Sequence, residues 1–373
     1  MYQLILFDVD GVILSEERCF DASALAVWEL LYGPHFLHLT NNQYSTTPKE
    51  ETIRSIRKQV FQDDKILDWM KDRGINANWD MVYLVFTTQL MMLLEKLDAS
   101  FARDWLSQPI TEQSLLELKK HTYGLKPDFS IFTSIFDESQ GELNRDQLLV
   151  YFNQFVKRQY GIDVDYFSRI SSLWELGSSV YQEWYFGEDL FRQEEGYART
   201  KGKKGFLFQE IALAPIEELQ QLFADLQAQN ITLGIGTGRP LLEMEVPLRE
   251  MKLLPYFAEN RIVTASDVVL AENTYPEEAP LGKPHPFTYV LGYLGEKTTD
   301  NLALQLALPI ENGDKVLVVG DSVADFLAAR KMGCRFAATL TGLTGQAARA
   351  KFEELGADYI LDDVRQLRSL ITG

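Results

Sequence analysis

Leu4-Ile5-Leu6-Phe7-Asp8-Val9-Asp10-Gly11 opens the chain with an apolar run that stops at two aspartates, two residues apart, and a glycine. An unbroken apolar run of this length reads as a strand buried on both faces; a strand with one face in water would alternate. The same shape recurs at residues 231–235, ahead of Gly236-Thr237-Gly238-Arg239-Pro240, and at 261–264. It returns at 316–319, ahead of Gly320-Asp321-Ser322-Val323-Ala324-Asp325. Helical periodicity fills residues 241–253, 286–294, 323–332 and 346–355. Strand and helix in alternation predict an α/β fold, a Rossmann-like parallel sheet whose ligands bind beyond the carboxyl ends of the strands.

Residues 15–204 read differently, with amphipathic helical spacing and no strand-like alternation. The predicted organisation is a sheet domain of residues 1–14 and 205–373, interrupted by a large inserted all-helical domain at 15–204. All six tryptophans, Trp28, Trp69, Trp79, Trp105, Trp174 and Trp184, fall in the insertion, which gives it a core of its own. Helices are expected from Thr47-Pro48-Lys49-Glu50, with Thr47 capping and Glu50 closing a capping box, and over 79–97, 111–120, 142–160 and 168–184. Arg199, Lys201, Lys203 and Lys204 near its end read as a solvated hinge, or else as a contact for a second anionic group on a substrate.

At 373 residues the chain has room for two or three domains, and at a formal charge of −18 it is no binder of phosphate backbones, so nucleic acid is not expected as a partner. No apolar run is long enough to span a bilayer, and the first residues carry neither a basic lead-in nor a long apolar stretch; a cytoplasmic protein without a membrane partner is the expectation. Two cysteines, Cys19 and Cys334, and four histidines make a zinc cluster a poor reading. Nothing in the pattern bears on oligomeric state.

The residues just past the strands would bring four carboxylates, Asp8, Asp10, Asp321 and Asp325, to one sheet edge with Thr237 and Lys283 of Gly282-Lys283-Pro284. Clustered carboxylates repel one another unless a cation compensates, and an all-oxygen set suits magnesium better than zinc. Each residue also has a plainer reading. Asp8 ends a strand, Asp10 and Asp321 sit in turns, Thr237 caps a helix and Lys283 is solvated. Arg239 contacts a ligand or pairs with Glu243, and Asp325 completes a capping box with Ser322.

The ordered set Phe7-Asp8-Val9-Asp10-Gly11-Val12, Ile235-Gly236-Thr237-Gly238-Arg239, Gly282-Lys283-Pro284 and Val319-Gly320-Asp321-Ser322-Val323-Ala324-Asp325 resembles the four motifs of the haloacid dehalogenase (HAD) superfamily. The resemblance covers about half the chain, residues 1–14 and 205–373, and places the helical insertion where that family carries a cap. It implies Asp8 as a nucleophile that becomes an aspartyl phosphate and Asp10 as the acid and base. Thr237, Gly238, Arg239 and Lys283 would meet the phosphoryl group, and Asp8, Asp10, Asp321 and Asp325 would serve a Mg2+ ion. The implied activity is hydrolysis of a small phosphorylated metabolite. A phosphomutase acting on a sugar phosphate would use the same residues, and a non-catalytic protein binding a phospholigand or a partner is the alternative of another class. Only 46 residues separate Thr237 from Lys283, too few for a second cap, so substrate choice should rest on residues 15–204.

Overall fold

In the computed structural model, which describes residues 2–41, 43–295 and 300–371, the chain divides into two compact units. One comprises residues 1–16 and 207–373, the other residues 17–206. Met1 and residues 372–373, part of the expected sheet domain, lie outside the described residues.

The first unit carries one six-stranded sheet: β1 (Leu4–Phe7), β2 (Thr232–Gly236), β3 (Ile262–Val263), β4 (Val316–Gly320), β5 (Arg335–Thr339) and β6 (Tyr359–Leu361). The order is β3-β2-β1-β4-β5-β6 and every pairing is parallel, with Phe7 opposite Ile235 on one side and Val319 on the other. This is the doubly covered α/β sheet expected, and β1 lies at its centre. Its residues explain the uninterrupted apolar run: Ile5 and Phe7 join Leu233, Ile235, Leu317 and Val319 in one core layer, while Leu4 and Leu6 join Val316, Val318, Phe336 and Ala338 in the other. The two faces are covered by α10 (Ile216–Ala228), α11 (Leu241–Glu250), α12 (Ala265–Thr274), α13 (Phe287–Leu294), α14 (Asp300–Gln305), α15 (Val323–Met332), α16 (Arg349–Leu355) and α17 (Leu367–Ile371). Strands β5 and β6 escape the sequence pattern: Arg335-Phe336-Ala337-Ala338-Thr339 spends its core positions on alanine, and β6 is three residues long.

The second unit is helical throughout its regular structure: α1 (Glu17–Tyr32), α2 (Glu50–Val60), α3 (Lys65–Asp72), α4 (Asn78–Leu94), α5 (Ala99–Trp105), α6 (Glu112–Thr122), α7 (Arg145–Tyr160), α8 (Ser172–Phe186) and α9 (Glu188–Glu195). Helices α1, α4 and α8 pack on one another and are buried almost all round. Two expectations need correction. Helix α2 starts at Glu50 with Lys49 at its N-cap and no side-chain cap, so Thr47 lies two residues short of the cap position, and the Glu50 carboxylate is drawn to Arg18 and Arg54 instead of closing a capping box. Nor is the 199–204 segment solvated throughout: Lys201 and Lys204 are exposed, but Lys203 is fully buried, its ammonium 2.6 Å from Glu29 and 3.4 Å from Glu183, and Arg199 reaches Glu112. Both Glu29, on α1, and Glu183, on α8, are buried, and a buried carboxylate requires a cation. No described helix is long and apolar enough to cross a membrane.

Candidate active site

Asp8 follows β1, Thr237 follows β2 and Asp321 follows β4, so three central strands deliver their first polar side chain to the same edge. Gly11 makes the approach possible. It has a φ of +68°, and a Cβ there would lie 2.2 Å from an Asp321 carboxylate oxygen, so only glycine fits. Its carbonyl is held by the hydroxyls of Thr339 and Thr341 at 3.1 and 2.5 Å. Gly342 meets Asp321 from the other side in the same manner, a close approach the sequence reading passed over.

Lys283 lies at the centre of the site. Its ammonium is 2.9 Å from Asp8 and 2.7 Å from Asp325, and donates to the carbonyl of Gly236 at 3.1 Å. Asp325 is wholly buried; it accepts from the Tyr289 hydroxyl at 2.7 Å and from the Ser322 hydroxyl at 2.6 Å. The Ser322–Asp325 capping box at the start of α15 is present, and Asp325 therefore both caps a helix and orients the lysine. Tyr289 went unrecognised because it sits among apolar residues of α13, six residues beyond Lys283, and reads as core.

Burial raises the Asp8 carboxyl to about 7; Lys283 opposes the rise, and Asp325 and Asp10 add to it. For Lys283 burial works downward, but Asp325 and Asp8 outweigh it and hold the ammonium firmly protonated. Burial would lift Asp325 as well, and Lys283, Ser322 and Tyr289 together bring it below its ordinary value. One oxygen each from Asp8, Asp321 and Asp325 lie within 4.8 Å of one another. Three clustered carboxylates, one of them raised to about 7 chiefly by burial, form an all-oxygen donor set that fits a hard divalent cation.

Asp10 and Arg239 form a second group beside the first. Arg239 is buried and gives Asp10 Oδ1 two bonds, from Nε at 2.9 Å and Nη2 at 2.6 Å. Its Nη1 donates to Glu210 at 2.8 Å and to the carbonyl of Glu243 at 3.2 Å. The guanidinium does not pair with the Glu243 carboxylate as the plainer reading expects: it pairs with Asp10 and Glu210, and reaches Glu243 at its main-chain carbonyl. The Asp10 carboxylate stands outside the Asp8–Asp321–Asp325 group. Thr237 is buried; its hydroxyl accepts the Arg239 N–H at 3.2 Å, and α11 begins only at Leu241, so Thr237 does not cap that helix. Gly238 lies in the turn between them, where a Cβ would meet nothing within 4 Å.

Residues 280–367, which carry Lys283, Asp321 and Asp325, match a family described as HAD-hydrolase-like. A protein solved by X-ray crystallography as a structural-genomics target is 38% identical, with 100% of this chain and 98% of that chain covered and a TM-score of 0.86. Through residues 280–367 the chain is a member of the HAD-like hydrolase superfamily. A search of the curated proteins finds no match. Solved structures described as HAD hydrolases are more distant. A HAD-superfamily hydrolase of subfamily IA from Geobacter sulfurreducens is 16% identical over 99% of this chain and 96% of that one, at a TM-score of 0.40. A Bacillus subtilis protein described as a HAD-hydrolase bound to magnesium is 16% identical over 100% and 99%, at 0.41.

Proposed function

We propose that this HAD-like hydrolase is a magnesium-dependent phosphatase that hydrolyses a small phosphorylated metabolite through an aspartyl phosphate on Asp8. The observation that carries the reading is the Asp8–Lys283–Asp325 group at the carboxyl edge of the sheet, with Asp321 against it. Asp8, Asp321 and the main chain of Asp10 would hold the ion, with Asp325 behind them. When bound, it offsets the negative charge of the phosphoryl group and of the nucleophile.

An Asp8 oxygen attacks phosphorus as the ester P–O bond breaks, and the departing oxygen takes a proton from Asp10. Lys283, firmly protonated, holds the nucleophile and offsets charge on the phosphoryl oxygens. Thr237 and the N–H of Gly238 would meet the remaining phosphoryl oxygens. Water then gives its proton to Asp10 and attacks phosphorus, breaking the Asp8–P bond and releasing phosphate. Residues 17–206, the unit inserted after this first motif, would act as the cap that selects the metabolite and excludes water during transfer.

The test is phosphate release from a panel of sugar phosphates, nucleotides, phosphoglycolate and an aryl phosphate, with and without Mg2+, for wild type and Asp8→Asn. The expected result is magnesium-dependent turnover that the substitution abolishes. Asp8→Asn turning over at the wild-type rate would overturn the mechanism; conversion of a hexose 1-phosphate to its isomer without phosphate release would make the enzyme a mutase.

A further inference from the structure

The carboxylate of Glu210 is buried and faces Arg239 from the side opposite Asp10. Its place in the chain is set independently of that contact. Ser15 N–H donates to the carbonyl of Ile211 at 2.8 Å, and Leu213 N–H to that of Ile13 at 2.9 Å, so the segment holding Glu210 is pinned to the stretch that leaves the Asp10 loop. Leu14 bridges Ala212 and, on its other side, Asp10. Arg239 is therefore held between charges, with a fixed buried carboxylate and the Glu243 carbonyl on Nη1 and Asp10 in front. Both of its bonds to Asp10 fall on Oδ1, and among the described residues no hydrogen bond is made to Oδ2. The Asp10 side chain keeps 28% of its surface exposed, whereas Arg239 keeps 3% and Glu210 none. One oxygen is held from within the protein and the other is left out of that clamp on a side chain that is part exposed, the arrangement a carboxyl group needs to pass a proton to a leaving group and back from water.

We infer that Glu210 is a positioning residue that acts through Arg239 to fix the orientation of Asp10, with Oδ1 clamped and Oδ2 left to carry the proton. The inference rests on the proposed acid–base role of Asp10. Without Glu210, Arg239 loses its buried carboxylate, and the neutral Glu243 carbonyl on Nη1 holds the guanidinium against Asp10 less firmly. Proton delivery to the departing oxygen then suffers in proportion to how much that oxygen needs it. An alkyl phosphate, whose leaving alkoxide is strongly basic, depends on it; an aryl phosphate with a weakly basic phenolate does not.

The experiment compares wild type, Glu210→Ala, Asp10→Asn and the double variant on an alkyl phosphate and on p-nitrophenyl phosphate, with pre-steady-state and steady-state readouts. Glu210→Ala is expected to lose about tenfold or more in kcat on the alkyl ester, within the range general acid–base catalysis supplies. On the aryl ester it keeps a rapid nitrophenolate burst followed by slow turnover, because the phosphoenzyme forms normally and hydrolyses slowly. Added to Asp10→Asn, the Glu210 change costs nothing further. Glu210→Gln, which retains the side-chain volume and an acceptor oxygen for Arg239, shows the same pattern at smaller size, so an alanine variant that fails to fold does not end the test. Loss of the nitrophenolate burst on the aryl ester in Glu210→Ala, or an additional loss in the Asp10→Asn background, would overturn the inference while leaving the Asp10 role standing. Loss of that burst in Asp10→Asn itself would overturn that role as well.

Discussion

Lys283 is one positive charge shared by two buried carboxylates, and its removal reaches further than a lost contact. Lys283→Met leaves Asp8 and Asp325 buried with no cation between them, and phosphate release is expected to fall about a hundredfold or more, as it does when a preorganised charge is taken from a transferring group. A variant within threefold of wild type on the ester panel would remove the lysine from the mechanism. Glu243 offers a titration that can be followed without turnover. Burial pushes its carboxyl up to about 8, with Arg239 opposing and Asp10 and Glu210 adding to the rise. Between 4.5, its ordinary value, and 8 the unfolded chain gives up this proton while the folded chain keeps it, so the folded state holds more protons and stability falls as pH rises through that window. Glu243→Gln removes the slope. Its unfolding free energy should gain on wild type by up to about 1.4 kcal/mol per pH unit between pH 5 and 8, measured by urea titration. Parallel pH profiles for the two proteins would contradict the assignment.

At the scale of elements, the turn after β1 and the start of α15 hold the site together. Gly11→Ala forces a side chain into a left-handed backbone at a cost of roughly 1–2 kcal/mol, and drives a methyl group into the Asp321 carboxylate. A lower melting temperature accompanied by a larger loss of activity than of stability is the expected pair of readouts; full activity would mean that Asp321 can move without consequence. Ser322→Ala removes the cap of α15 and one of the hydroxyls that orient Asp325. A loss of ~1 kcal/mol is expected from the cap alone, and kcat should fall with it because Asp325 in turn holds Lys283. Turnover unchanged in a destabilised Ser322→Ala protein would confine the box to helix capping.

For the whole molecule, the buried Lys203 with Glu29 and Glu183 ties the last residues of the helical unit to two of its central helices, α1 and α8. Lys203→Met leaves two uncompensated carboxylates in the core, and such a break typically costs ~3–5 kcal/mol. Because all six tryptophans lie within residues 17–206, intrinsic fluorescence during chemical denaturation reports on this unit. A shift of the fluorescence transition smaller than about 1 kcal/mol would show that water or a rearrangement satisfies the carboxylates.

The order of the strands' apolar runs and the polar residues that end them were legible from the chain, because a strand buried on both faces writes itself as a short unbroken apolar run and the edge chemistry follows it within a few residues. Asp8, Asp321 and the Ser322–Asp325 box could be named on that ground. The alanine-rich β5 and three-residue β6 could not, since neither carries a pattern distinct from helix or loop. Tyr289 and Glu210 were invisible for a different reason: each meets its partner across 36 and 29 residues of chain, and a hydroxyl on an apolar helix or a glutamate in a connecting segment looks the same whether buried or solvated. The 199–204 basic run was misread on the same account, for burial of Lys203 depends on two glutamates from distant helices. Local pattern determines which segments form strands and where their polar ends fall. Only packing decides which buried charge meets which, because desolvation and pairing are properties of the assembled core and not of any stretch of chain.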